Sequence, residues 1–347
     1  MMRPTLRLAI YNCEWMNALF DDQGRLVADD QPSARYKISR ADQIAALGIV
    51  FTALDADGVM IIEAPDTNSR RSTVLALESF ARQFGLRARK AVIGFASDTE
   101  QEIAFLYDPD RLTVSHDPRG PPSTTQGATG APRFDTVLRH DINDDGADER
   151  VIFSKPPLEL SVQSAGRTLH LIGVHAKSKA PHGRVSPADF ARISIDNRRK
   201  QLAECHWLRL RAIEHLQAHE NLIVMGDFND GPGIDRYEQV FGKSGVEVVL
   251  GPPDPPDLRL FDPHALMALK TGTALHPATA RFWLAPRKCY FEALLDFIMV
   301  SPELAATSPA WRIWHPFNDP KISAVPELRD AILTASDHFP VTLDLST

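Results

Sequence analysis

The sequence predicts an α/β fold on three observations: strand-sized apolar runs recur along the chain, segments of helical period lie between them, and few runs are joined by a simple hairpin turn. The runs are Leu6–Tyr11, Val59–Glu63, Ile103–Tyr107, Leu158–Val162, Thr168–His175, Leu222–Asp227, Leu294–Val300 and Val341–Leu345. The first alternates like a strand and lacks the continuous apolar core of a secretory signal, so the chain as written reads as cytoplasmic or already processed. Ser39 with Asp42 is a capping pattern ahead of Ile44, Leu47, Phe51 and Leu54. Ser72 to Phe84 repeats apolar residues at helical spacing, and Gly85 follows where a left-handed cap falls. Ser186, Pro187 and Asp189 supply an N-cap, a first-turn proline and a capping acid for a third helix reaching about His219.

Composition narrows the class. The 347 residues are 44% hydrophobic and 24% charged with a formal charge of −7, an ordinary globular balance. A single domain over 1–347 is expected, with insertions near 108–150, 176–200 and 251–290. Pro/Gly clusters at 118–132 and 251–256 read as loops, because the composition does not change beyond them. No apolar run approaches the ~18 residues that cross a bilayer. Cys13, Cys205 and Cys289 lie far apart and read as free thiols. Mild acidity argues against coating nucleic acid by bulk charge, yet leaves room for a local basic cleft. Between His175 and Arg211, nine Lys/Arg stand against three acids. Most of that block reads as a solvated helix face, and only the members nearest His175 read as anion-binding.

Polar side chains at the strand ends carry the chemistry. Ile223 to Asp230 is an apolar strand breaking through Gly226 into Asp227 and Asn229, which strand alternation places on one side. The turn-forming habit of Asp and Asn is the plainer reading of the same residues. Asp296 interrupts the apolar run Leu294–Val300, and a buried acid needs a partner. His338, in Ser336-Asp337-His338, is the candidate, since a carboxylate on one ring nitrogen fixes the tautomer and makes the other more basic. Asn12 and Glu63 end two further strands in hard oxygen ligands suited to Mg²⁺ or Mn²⁺. His175 ends another and is followed by Lys177 and Lys179, a sensible phosphate-binding sequence.

In this order, Asn12, Glu63, His175, Gly226-Asp227-Phe228-Asn229, Asp296 and Ser336-Asp337-His338 resemble the endonuclease/exonuclease/phosphatase, or deoxyribonuclease-I-like, superfamily from about residue 6 to 345. The resemblance implies a four-layered α/β sandwich, with two mainly antiparallel β-sheets packed face to face and helices outside. It also implies divalent-metal-dependent phosphoester hydrolysis at one edge of the sheets. It assigns Glu63, Asn12 and Asp337 to the metal. His338, polarised by Asp296, would activate water or stabilise the phosphate. Asp227 and Asn229 would orient the nucleophile and transition state, and His175 would hold a nonbridging oxygen or assist the leaving group. Whether Asp227 or His338 is the base stays open. One departure is that Gln101 stands where deoxyribonuclease I has the glutamate partner of its first catalytic histidine. Gln101 is expected to contact phosphate or His175, or to be a plain strand-edge amide.

Asp141, Asn143, Asp145 and Glu149 occupy positions 1, 3, 5 and 9 of a calcium-loop pattern with Gly146 at 6, but Ile152 replaces the final glutamate. A structural Ca²⁺ and an acidic turn without an ion are the two readings. The leading function is a phosphodiesterase acting on nucleic acid, DNA or RNA, or on nucleotides. Phospholipid or sphingomyelin hydrolysis, phosphomonoester hydrolysis and noncatalytic binding on the same fold are the alternatives. The aromatic segments Arg281-Phe282-Trp283-Leu284 and Tyr290-Phe291 line the cleft, pack beneath it or form a membrane-entering hairpin.

Overall fold

The structure, a computed structural model, describes residues 5–97, 99–142, 145–180, 186–232, 241–270, 277–284 and 288–346. Two mixed, mostly antiparallel sheets stack face to face with helices outside, as expected. The first contains β1 (Thr5–Asn12), β2 (Gly58–Ala64), β3 (Lys90–Ile93), β4 (Glu102–Tyr107), β14 (Ala310–Ile313) and β15 (Val341–Ser346), in the order β14-β15-β1-β2-β4-β3. The second contains β5 (Thr113–His116), β8 (Leu158–Ser164), β9 (Arg167–His175), β10 (Leu222–Asp227) and β13 (Asp296–Val300), in the order β13-β10-β9-β8-β5. Two hairpins stand apart: β6 (Leu138–His140) with β7 (Glu149–Val151), and β11 (Ala280–Leu284) with β12 (Cys289–Ala293).

Strand alternation builds the layers. Leu8, Ile10, Met60 and Ile62 of the first sheet meet Leu160, Leu171, Ile223, Met225 and Ile298 of the second in a dry central core. The opposite face of the first sheet, through Ala9, Tyr11, Val59 and Ile61, packs on α1 (Arg40–Leu54) and α2 (Thr73–Gln83) by way of Leu47, Phe51 and Phe80. The outer face of the second sheet, through Ile172, Val174, Val224 and Phe297, packs on α3 (Pro187–Gln217) by way of Trp207 and Leu208. The Ser39 and Ser186 side chains cap α1 and α3 as the sequence predicts, accepting the amides of Asp42 and Asp189, and Ser72 caps α2 by accepting that of Leu75.

Each sheet holds one parallel pair closed by a helical crossover, β1-α1-β2 in one and β9-α3-β10 in the other. All four strands therefore end at the same edge of their sheets, and Asn12, Glu63, His175 and Asp227 sit at or next to those carboxyl ends. Among the described residues no helix is long and apolar enough to cross a membrane.

The basic block of α3 departs from the solvated-face reading. Arg198, Arg209 and Arg211 are buried. Arg198 pairs with buried Asp230, Arg211 with Glu159 at 3.0 Å, and Arg209 donates to the Leu258 carbonyl at 2.6 Å. Charge runs look solvated in sequence, but this helix spans 31 residues and is roofed by loops whose carbonyls need donors. Arg184 lies outside the described residues.

Candidate active site

Register brings the strand-end residues together. Asp227 lies opposite His175 across the parallel β9–β10 pair and opposite Asp296 across the antiparallel β10–β13 pair. The amide of Asn12 reaches across from the first sheet to donate to Asp227 Oδ2 at 3.1 Å. Glu63 occupies a bulge where the β2–β4 register shifts between Ile62 and Ala64, with φ of 59°. Such a bulge re-aims a side chain. Glu14, Trp15 and Asn229 share the left-handed conformation, with φ of 42°, 57° and 49°, and all three line the same cleft as Glu63. Non-glycine residues held there are strained, and strain of this kind concentrates at functional sites.

His338 is oriented by Asp296, whose Oδ2 lies 2.7 Å from Nδ1, leaving Nε2 for the cleft. Nε2 lies 3.9 Å from Asp227 Oδ2 and 3.9 Å from Asp337 Oδ1. His175 Nε2 is 3.8 Å from the same Asp227 oxygen and 3.9 Å from Glu63 Oε1. Glu63, His175, Asp227, His338 and Asp337 thus form an arc whose neighbouring atoms are too far apart to hydrogen-bond one another. They are close enough to converge on one bound group. Burial opposes charge on His338, yet Asp296 and Asp227 hold its pKa well above the ordinary histidine value. Burial pushes the Asp227 carboxyl up to about 7 against the pull of His338, and keeps His175 well below the usual range with help from Lys155.

Two groups escaped sequence reading. Glu14 sits beside Asp337, whose backbone amide it accepts at 2.8 Å, and it also pairs with Arg35. Burial and the neighbouring Asp337 push it up to about 7. It follows Asn12 by two positions, but the left-handed turn that swings it into the cleft has no glycine to announce it. Lys155, buried and ahead of β8, lies 3.2 Å from both Gln101 Oε1 and His175 Nε2. Gln101 therefore reaches His175 only through this lysine.

Other expectations are corrected in detail. Strand alternation does not pair Asn229 with Asp227, because β10 ends at Asp227 and the chain turns left-handed. Asn229 instead folds back, its amide N–H donating to Asp227 Oδ1 at 2.7 Å and its side chain to the Ala176 carbonyl at 3.1 Å. Asn229 thus forms the turn and also lines the cleft with Asp227. Lys177 and Lys179 both line the cleft, and Lys179 also donates to buried Asp230 at 2.9 Å. Asp141 accepts the amides of Asp145 and Gly146, and Glu149 accepts that of Ile142, in the turn between β6 and β7. Asn143 lies outside the described residues.

No family model matches the sequence, and no curated protein matches it either. The crystal structure of TDP2 from Caenorhabditis elegans is similar, with a TM-score of 0.51 at 12% identity over 99% of this chain and 75% of that one. The fold is that of TDP2. The 3′ phosphatase NExo from Neisseria, solved with a product DNA hairpin, scores 0.49 at 14% identity over 99% of this chain and 100% of its own. An endonuclease/exonuclease/phosphatase from Bacteroides vulgatus scores 0.47 at 14% over 99% of each. The architecture shared with TDP2 is the one the strand-end motifs implied.

Among the described residues, two groups of His, Asp and Glu are arranged so that they could hold a metal ion: Asp227, Asp296 and His338 in the cleft, and His170, His215 and Glu220. The second lies toward the other end of β9 and β10. There Arg119 forks Glu220 at 2.7 and 3.0 Å, so a cation already neutralises that carboxylate.

Proposed function

We propose that the protein is a divalent-cation-dependent phosphoester hydrolase, acting as a phosphodiesterase on nucleic acid or nucleotides. The arc from Glu63 to Asp337 carries this reading. Glu63, Asp337 and Glu14, with the Asn12 oxygen beside them, are the residues that would hold the cation. Their donors fit it: they are hard oxygens, and Glu14 and Asp337, in direct contact, ask for positive charge that Arg35 alone only partly supplies. When bound, Mg²⁺ or Mn²⁺ supplies charge neutralisation at the phosphate and lowers the pKa of water.

The remaining work falls to side chains. Held by Asp296, His338 presents Nε2 either to a nonbridging oxygen, as a cation, or to the attacking water. Asp227, fixed by the amides of Asn12 and Asn229, offers a carboxylate whose pKa near neutrality suits proton acceptance. Lys155, Lys177 and His175 face the developing negative charge on the opposite side of the cleft. Nothing in noncatalytic binding requires this whole set.

Turnover of bis-nitrophenyl phosphate, nitrophenyl phosphate, DNA, RNA and sphingomyelin separates the diester, monoester and lipid readings. Hydrolysis of diesters is expected to vanish in EDTA and return with Mg²⁺ or Mn²⁺. Glu63→Gln should raise the Mg²⁺ concentration needed for half-maximal rate by at least about tenfold. Undiminished activity in EDTA would refute the reading.

A further inference from the structure

The β11–β12 hairpin is aromatic on both faces. Phe282 pairs with Phe291 on one face, and Trp283 with Tyr290 on the other. Phe282 and Phe291 line the cleft that holds Glu63 and His338, a cavity of about 870 Å³. That volume lies near the top of the ~300–1,000 Å³ range of sites that bury whole ligands, far more than one phosphate group requires. On the outer face Trp283 is 52% exposed, Tyr290 55% and neighbouring Phe317 48%. Arg281 stacks on Tyr290, its guanidinium carbon 3.6 Å from the ring centroid, and lies 5.2 Å from the centroid of Phe317. Trp283 meets Tyr290 edge-on at 5.1 Å. Three large rings are thereby left exposed in one patch, with the partly buried Arg281 guanidinium stacked among them.

The patch is fixed to the catalytic loop. Arg281 N–H donates to the Asp337 carbonyl at 2.7 Å, and Ala280 bridges His338. Trp283 lies three residues on, roughly 10 Å along the strand. The hairpin therefore holds its rings at a set distance from the reacting centre.

We propose that this hairpin is a base-stacking platform and that the substrate of the cleft is a single-stranded nucleic acid; the inference rests on the phosphoesterase reading above. Every base has a π-face, and rings and guanidinium planes take unpaired bases with little regard to sequence. In a duplex those faces are covered by neighbouring base pairs. Lys155 and Lys177 on the cleft wall supply charge complementary to the backbone of such a strand. A lipid surface suits the patch less well. Arg281 and Glu292 form an ion pair at 3.3 Å on the same face, and Glu292 lies 3.7 Å from His315. Entry into an apolar interface would strip those charges of water, whereas a nucleic acid strand leaves them wet.

The test is fluorescence anisotropy of a labelled twelve-residue oligothymidylate in EDTA, beside its duplex and an abasic strand of equal length. Wild-type protein is expected to bind the base-bearing single strand most tightly. Trp283→Ala and Tyr290→Ala should each weaken that binding roughly fivefold or more. Both are exposed, so melting temperature and turnover of bis-nitrophenyl phosphate should stay at wild-type levels. Equal binding of base-bearing and abasic strands would overturn the proposal, as would variants that bind like wild type. Loss of binding to sphingomyelin vesicles in the variants with oligonucleotide binding unchanged would overturn it in favour of a membrane. The assay involves no turnover, so failure of stacking and failure of the hydrolase reading are separately visible.

Discussion

Replacing His338 by alanine is expected to lower kcat for diester hydrolysis by about 10²- to 10⁴-fold, the range that a positioned acid–base group contributes. The ring is buried, its Nδ1 bound to Asp296 and its Nε2 between Asp227 and Asp337. Removing it deletes a positive charge where negative charge gathers in the transition state, and leaves Asp296 without its partner. The loss should fall on kcat more than on KM, because the phosphate keeps Lys155, Lys177 and the cation in the ground state. Steady-state kinetics of His338→Ala and Asp296→Asn on bis-nitrophenyl phosphate check this, with circular dichroism to confirm folding. A variant lacking the imidazole yet turning over at the wild-type rate would remove His338 from the chemistry.

Arg198→Met is expected to cost about 3 kcal/mol of stability and to lower activity with it, because it removes the fully buried one of the two cations that neutralise a buried carboxylate. Arg198 and Asp230 are both fully buried and paired, and Asp230 also accepts the Gly245 amide at 2.6 Å and the Lys179 ammonium. Gln201, one turn along α3, donates to the carbonyls of Lys177, Phe228 and Asn229 at 2.8, 3.1 and 3.1 Å. These two residues clamp the turn that aims Asp227 and Asn229. Urea unfolding of Arg198→Met, Asp230→Leu and the double variant separates the terms. The double variant should recover part of the lost stability, since it removes both fully buried charges and deprives only the less buried Lys179 ammonium of its acceptor, while its kcat stays low because the turn is no longer held. A single variant as stable as wild type would contradict the pairing.

Much of this arrangement could be read in the sequence, for reasons that differ residue by residue. Helices α1, α2 and α3 announced themselves through serine caps and apolar spacing, which are local signals. Asp296 was legible because an acid in an apolar strand demands a partner, and His338 is that partner in the structure. The two parallel pairs then bring Asn12, Glu63, His175 and Asp227 to one edge. Glu14 was hidden by its left-handed backbone, which nothing in Asn12-Cys13-Glu14-Trp15 signals. Lys155 was hidden because only tertiary packing of the segment before β8 brings it to His175. The buried arginines of α3 were hidden for a related reason: a guanidinium reaches distant carbonyls, and charge in a sequence says nothing about burial.

The account turns on a cation held beside Glu63. Crystals soaked in Mn²⁺ and measured at its absorption edge test it most directly. An anomalous peak about 2.1 Å from a Glu63 oxygen, with Asp337 or Glu14 as a further ligand, is predicted. A peak confined to His170, His215 and Glu220, with none at Glu63 under saturating Mn²⁺, would contradict it.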